Sequence, residues 1–152
     1  MRVSVIGGGE VDAGTAGVAE AVGRRLAERG HVLVCGGLGG VMEAACRGAA
    51  KAGGRTIGIL PGDDRSAANP HVEVAVATGL GHARNALVVL NGDAVIAVDG
   101  GPGTLSELGF ALAYGRPVVG LDPVAAVDGV TAVATPAEAV AFVESAVEAA
   151  VD

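Results

Sequence analysis

The most constraining feature of this chain is an apolar run that breaks into glycines and resumes as a helix. Ala94-Val95-Ile96-Ala97-Val98 reads as a buried strand, and Asp99-Gly100-Gly101-Pro102-Gly103-Thr104 follows it directly. Leu105, Leu108 and Leu112 then recur at helical spacing until Gly115 stops the pattern. A strand that feeds a helix through such a turn aims backbone N–H groups, and the positive end of the helix dipole, at the space above the turn. Glycine also lets a ligand approach the backbone closely. An anion, phosphate first among them, is the natural guest of this geometry.

The rest of the chain repeats the pattern. Apolar runs at residues 2–6, 31–35, 55–60, 72–77, 93–98 and 117–121 predict strands, with a short seventh at 130–134. Helical periods lie between them: Val18, Val22 and Leu26 up to Gly30, then Val41, Ala45 and Ala49 up to Gly53-Gly54, then Ala83, Leu87 and Leu90 up to Asn91-Gly92. The last helix starts at Thr135-Pro136-Ala137-Glu138, which offers an N-cap, a proline at N1 and a glutamate at N3. Continuous apolar strands alternating with helices predict an α/β fold: a single Rossmann-like domain, its doubly wound parallel sheet of six to seven strands covered by helices on both faces.

In such a sheet the turns at the carboxyl ends of the strands gather in one crevice, where the strand order reverses. Gly7-Gly8-Gly9 closes the first strand and Gly36-Gly37-Leu38-Gly39-Gly40 the second. Gly8, Gly9, Gly36, Gly37, Gly39 and Gly40 therefore join Gly100, Gly101, Gly103 and Thr104 as candidates to hold a nucleotide or sugar phosphate. The alternative for residues 36–40 is tight strand–helix packing alone. Residues 63–70, polar and turn-rich, form the candidate mobile lid.

Composition narrows the partners. A net charge of −7 without a basic stripe argues against nucleic acid, and 2% aromatic residues remove the stacking platform that single strands need. No run of about 18 apolar residues lacks a glycine or a charge, so no membrane span is expected. Met1-Arg2-Val3-Ser4 enters a strand at once, so the expectation is a cytoplasmic protein without a targeting segment, its Cys35 and Cys46 reduced. No metal-ligand spacing is visible, and any hydrolysis would be metal-independent.

Two nucleotide motifs fail on their residues. Gly7-Gly8-Gly9 supplies a GxG without the third glycine, and no acid stands after Cys35-Gly36 to hold a ribose hydroxyl. The chain has no GK[ST] either. However, Gly36-Gly37-Leu38-Gly39-Gly40-Val41-Met42-Glu43, Gly53-Gly54 to Pro61-Gly62, Arg84-Asn85 and Gly100-Gly101-Pro102-Gly103-Thr104-Leu105-Ser106-Glu107 occur in that order. Over residues 2–121 this resembles the superfamily of Lonely Guy (LOG) type nucleoside 5′-monophosphate phosphoribohydrolases. It most resembles the short branch of uncharacterised proteins and molybdenum-cofactor carrier proteins.

The resemblance implies that Gly100, Gly101, Gly103 and Thr104 hold a 5′-phosphate, with Arg84 and Asn85 as further nucleotide-binding candidates and Glu107 and Arg84 as the catalytic pair. The reaction it implies is cleavage of an N-glycosidic bond through an oxocarbenium-like state, which a carboxylate stabilises. It also implies a homo-oligomer, dimer or higher. Two departures stand out: Asp99 where the hydrolases carry proline before Gly-Gly, and Asn85 where lysine follows their arginine. A lysine-decarboxylase label often attached to such chains is refused, because Lys51 is the sole lysine and ends a helix, leaving no Schiff-base partner at the crevice.

Several residues keep two readings at this stage. Thr104-Leu105-Ser106-Glu107 is also a capping box, in which Glu107 merely reaches back to the N-cap. Arg84 fits either the crevice or the surface, His82 either a ligand contact or a loop, and Cys35 either a nucleophile or a buried filler. Glu10 and Asp12 would repel a phosphate, or hold a ribose or cation. The lead reading is a binder of a small nucleotide or ribose phosphate, extended to a phosphoribohydrolase. Its rivals are a non-catalytic carrier of a nucleotide-like group such as molybdenum cofactor, and a ligand-sensing module. No resident cofactor is required in the lead reading; the bound group is a nucleoside monophosphate or molybdenum cofactor.

Overall fold

A computed structural model describes residues 1–121 and 127–152. Its strands are β1 (Arg2–Gly7), β2 (Val32–Cys35), β3 (Thr56–Leu60), β4 (Val74–Ala77), β5 (Ala94–Val98), β6 (Val118–Leu121) and β7 (Thr131–Val133). They form one sheet in the order β4-β3-β2-β1-β5-β6-β7, parallel at every pairing. The expected runs are present, each trimmed or extended by no more than two residues at an end.

Burial on both faces explains why the strands read as unbroken apolar runs. Val3, Val5, Leu33, Ile96 and Val98 pack beneath α1 (Ala13–Glu28), α2 (Val41–Lys51) and α5 (Pro136–Val151). Ile6, Val34, Val95 and Ala97 pack beneath α3 (Arg84–Leu90) and α4 (Pro102–Ala113). The one polar residue inside β1, Ser4, donates to the Val88 carbonyl at 2.7 Å, so its burial leaves no unpaired hydroxyl. The capping box expected at the last helix is formed: Thr135 Oγ1 accepts from the Glu138 N–H at 3.2 Å, and Glu138 Oε2 accepts from the Thr135 N–H at 3.1 Å.

Three local expectations change. First, α1 begins at Ala13 rather than near Val18, because Asp12 Oδ1 accepts from the Thr15 N–H at 2.7 Å and caps the helix. Asp12 is thus a helix cap, and it stands outside the cavity lining. Second, α4 begins at Pro102, earlier than the leucine period indicates. Third, residues 63–70 include a single 3₁₀ turn, Arg65–Ala67, and are tied down at their end. The Asn69 backbone N–H donates to the Gly37 carbonyl and its side-chain amide to the Leu38 carbonyl, each at 2.9 Å. Among the described residues no helix is long and apolar enough to cross a membrane.

Candidate functional site

From β1 the chain steps outward through β2, β3 and β4, and it returns to the other side of β1 for β5, β6 and β7. The reversal therefore lies between β1 and β5, where their carboxyl ends open the crevice expected of this topology. A cavity of about 290 Å³ lies there. This is at the lower edge of the range of roughly 300–1,000 Å³ for small-molecule sites. Gly8, Gly9, Gly36, Arg84, Asn85, Gly101, Gly103, Thr104 and Glu107 line it, whereas Gly37, Gly39, Gly40 and Gly100 do not.

Those four glycines serve the frame. A Cβ on Gly40, where φ is +64°, would stand 2.1 Å from the Gly8 carbonyl oxygen, and the Val41 N–H donates to that same oxygen at 2.9 Å. The turn after β2 is thus clamped to the turn after β1. Gly39 packs against the Gly9 carbonyl, Gly37 against Leu60, and Gly100 makes room for Thr104 to fold back over the turn.

The amino end of α4 forms one wall. Gly101 is its N-cap with no side-chain cap, and Pro102 takes the first helical position, where a missing N–H costs nothing. The N–H groups of Gly101, Gly103 and Thr104 have no hydrogen-bond partner among the described residues. The capping-box reading of residues 104–107 is corrected here. With the helix begun at Pro102, Thr104 is the third helical residue and Glu107 lies a turn further in. The Glu107 carboxyl faces the cavity and caps nothing. Just before the turn, Asp99 is the one non-glycine residue at positive φ (57°) among those described, a strained backbone of the kind that gathers at sites.

Arg84 opens α3 on the opposite wall and is 8% exposed, which settles against the surface reading. Its Nη1 donates to Asn85 Oδ1, and its Nη2 to the Gly36 carbonyl at 3.3 Å. Gly36 is a close-approach glycine, since a Cβ there would sit 2.6 Å from Nη2. The Nε–H is buried without a partner among the described residues. Glu107 is likewise 8% exposed, and its carboxyl has no hydrogen-bond partner among the described residues. Burial pushes Glu107 up to about 7, against the opposing pull of the Arg84 charge. Burial also lowers the Arg84 value, with Glu107 and Cys35 opposing. The two opposite charges share one cavity, yet no bond joins them.

Sequence reasoning missed the cavity's apolar floor, Val5 and Ile6, together with Met42, which read as ordinary strand and helix residues. It also missed Ser106, which carries no local signal. Ser106 Oγ accepts from Asn85 Nδ2 at 3.1 Å and donates to the Gly103 carbonyl at 2.7 Å. His82 does line the cavity mouth. Cys35 is buried with its sulfur 3.5 Å from that of Cys46 and stands outside the lining, as do Glu10 and Lys51, the latter paired with Glu20 at 3.0 Å.

A parallel Rossmann-like sheet with a cavity at the strand-order reversal defines a class of small-ligand-binding domains. The chain belongs to the SLOG cluster4 family, whose model matches residues 1–150. An uncharacterized protein of Archaeoglobus fulgidus is 45% identical over 142 residues, 93% of each chain. A cytokinin riboside 5′-monophosphate phosphoribohydrolase of Mycobacterium tuberculosis is 34% identical over 76% of this chain and 66% of its own. Among solved structures, the molybdenum cofactor binding protein of Rippkaea orientalis shares the fold with a TM-score of 0.91. It is 36% identical, and the match covers 96% of both chains.

Proposed function

We propose that the cavity binds the phosphate monoester of a nucleotide-like small molecule, and that this chain is a carrier of that ligand. One observation carries the reading: an arginine and a glutamate, each 8% exposed, face one cavity and leave each other unpaired beside open helix N–H groups. Leaving a buried charge unpaired costs several kcal/mol, so such an arrangement is built to be completed by a third group. A phosphate accepts from the Gly101, Gly103 and Thr104 N–H groups and from Arg84. A hydroxyl or amine of the same ligand meets the Glu107 carboxyl. Molybdenum cofactor as cargo fits this donor set through its phosphate, and the match to the Rippkaea orientalis protein along nearly the whole chain supports that ligand.

A second reading, phosphoribohydrolase, is favoured by Glu107. A carboxyl held at about 7 exchanges its proton at neutral pH, as an acid–base group must. Water would add to the anomeric carbon as the N-glycosidic bond breaks, with the departing base taking up a proton. Incubation with a panel of nucleoside monophosphates, following both affinity and free base, separates the two. The carrier reading predicts saturable binding with no base released; release of base that is abolished in Glu107→Gln supports the hydrolase.

We further infer that the chain self-associates through α3 and α4. Leu90, Leu105, Phe110 and Tyr114 are exposed there, and none of the exposed residues of α4 is charged. In a chain of net charge −7, an uncharged face is where two copies meet with least repulsion. Sedimentation should give a dimer or higher oligomer that Phe110→Glu dissociates; a wild-type monomer at 100 μM (about that concentration suffices for a specific interface) contradicts this.

A further inference from the structure

Asn85 is a small neutral side chain beside a buried guanidinium, and its hydrogen bonds link α3 to α4. Its Oδ1 accepts from Arg84 Nη1, and its Nδ2 donates to Ser106 Oγ at 3.1 Å. Ser106 Oγ in turn donates to the carbonyl of Gly103 at 2.7 Å, in the first turn of α4. Asn85 is 3% exposed, so its bond to Arg84 forms away from competing water, whereas Ser106 is exposed and its bond to Gly103 lies at the surface. The amide can stand only this way round: turned over, its NH₂ would face the N–H groups of Arg84, donor against donor. A lysine here has a donor for Ser106 Oγ but no acceptor for Arg84, and it would set an ammonium against the guanidinium. An aspartate would accept from Arg84 but lose the donor to Ser106, and would cancel the arginine's charge.

We propose that Asn85 is a positioning residue, which fixes the Arg84 guanidinium and joins it through Ser106 to the amino-terminal turn of α4, so that the two anion-binding walls hold one register. The relay rests on the phosphate-site reading above for its purpose, but not for its existence. Its members come from separate elements, Arg84 and Asn85 from α3 and Ser106 and Gly103 from α4. The Gly36 carbonyl, on the turn after β2, holds the other arm of the guanidinium at 3.3 Å. With both arms held, Arg84 cannot swing to follow a ligand. Affinity then depends on the relay being intact.

The test is a double-mutant cycle read by calorimetric titration with AMP and with inorganic phosphate. Asn85→Ala should weaken binding by on the order of tenfold in the wild-type background, the size expected of a misplaced charged contact. In an Arg84→Met background the same change should cost less than about twofold, because Asn85 acts through the arginine. Ser106→Ala, which breaks only the outer link, should fall between. An equal loss in both backgrounds would make Asn85 a structural residue and overturn the proposal, as would no loss in either. A second readout does not need ligand: the Arg84 Nε–H proton in a nitrogen-resolved NMR spectrum. It should be sharp and slow to exchange in the wild type and lost to exchange in Asn85→Ala; an unchanged signal refutes the relay. If neither probe binds wild type while the NMR signature behaves as expected, the relay stands and the phosphate reading is what fails.

Discussion

Two glycine turns of nearly the same composition do opposite work here. In the turn after β2, a Cβ on Gly36, Gly37 or Gly40 would come within 2.1 to 2.7 Å of atoms already in place. In the turn after β5, a Cβ on Gly101 or Gly103 would meet nothing within 4 Å. The first turn is glycine-rich because other parts of the protein occupy the missing side chains' space. In the second, Gly100 makes room for Thr104, but at Gly101 and Gly103 the space is left open beside unpaired backbone N–H groups. A glycine cluster after a strand is therefore no ligand site in itself; what matters is whether the volume is filled.

Substitutions break this comparison in order of size. Gly40→Ala should be the most damaging, losing about 3 kcal/mol or more, since it combines a left-handed backbone with a clash against the Gly8 carbonyl. A Tm within a few degrees of wild type would show that the two turns are not clamped. Next comes Glu107→Gln, whose effect depends on pH. The folded-state value of about 7 lies above the ordinary 4.5, so the folded chain keeps a proton that the unfolded chain has released. Stability contributed by the protonated form is complete below about 4.5 and falls as pH rises to about 7, by on the order of 3 kcal/mol. Glutamine removes this slope, and the variant should be more stable than wild type at pH 8 and similar at pH 4. Parallel stability curves in denaturant from pH 4 to 8 would contradict it. The smallest stability effect belongs to Gly103→Ala, where alanine in a helix raises stability by less than about 1 kcal/mol. On the proposed phosphate site its methyl group would intrude on the ligand, and AMP affinity should fall by on the order of tenfold even as Tm rises.

The sheet was legible because parallel strands buried on both faces announce themselves as apolar runs, and the reversal point follows from the alternation of elements. The site was legible in its types but not in its roles. Pro102 reads as a turn residue in sequence, which sets the helix start too late and leaves Glu107 with a capping reading beside the catalytic one. Asp12 looked like a stray carboxylate until the Thr15 N–H gave it a partner. The Asn85–Ser106 bond joins residues 21 positions apart on two helices, and no local pattern carries that information. Packing is one of the two readings that residues 36–40 offer in sequence, but which of these glycines take it is set by tertiary approach: Gly37, Gly39 and Gly40 pack, while Gly36 also lines the cavity.

If one phosphate completes the unpaired wall of this cavity, a crystal structure of the protein with AMP will show it. The phosphate should lie within hydrogen-bond distance of the Gly101, Gly103 and Thr104 N–H groups, with the Arg84 guanidinium on its other side and Glu107 beside the ribose. A phosphate bound elsewhere, with the amino end of α4 left bare or closed by a side chain, would contradict it.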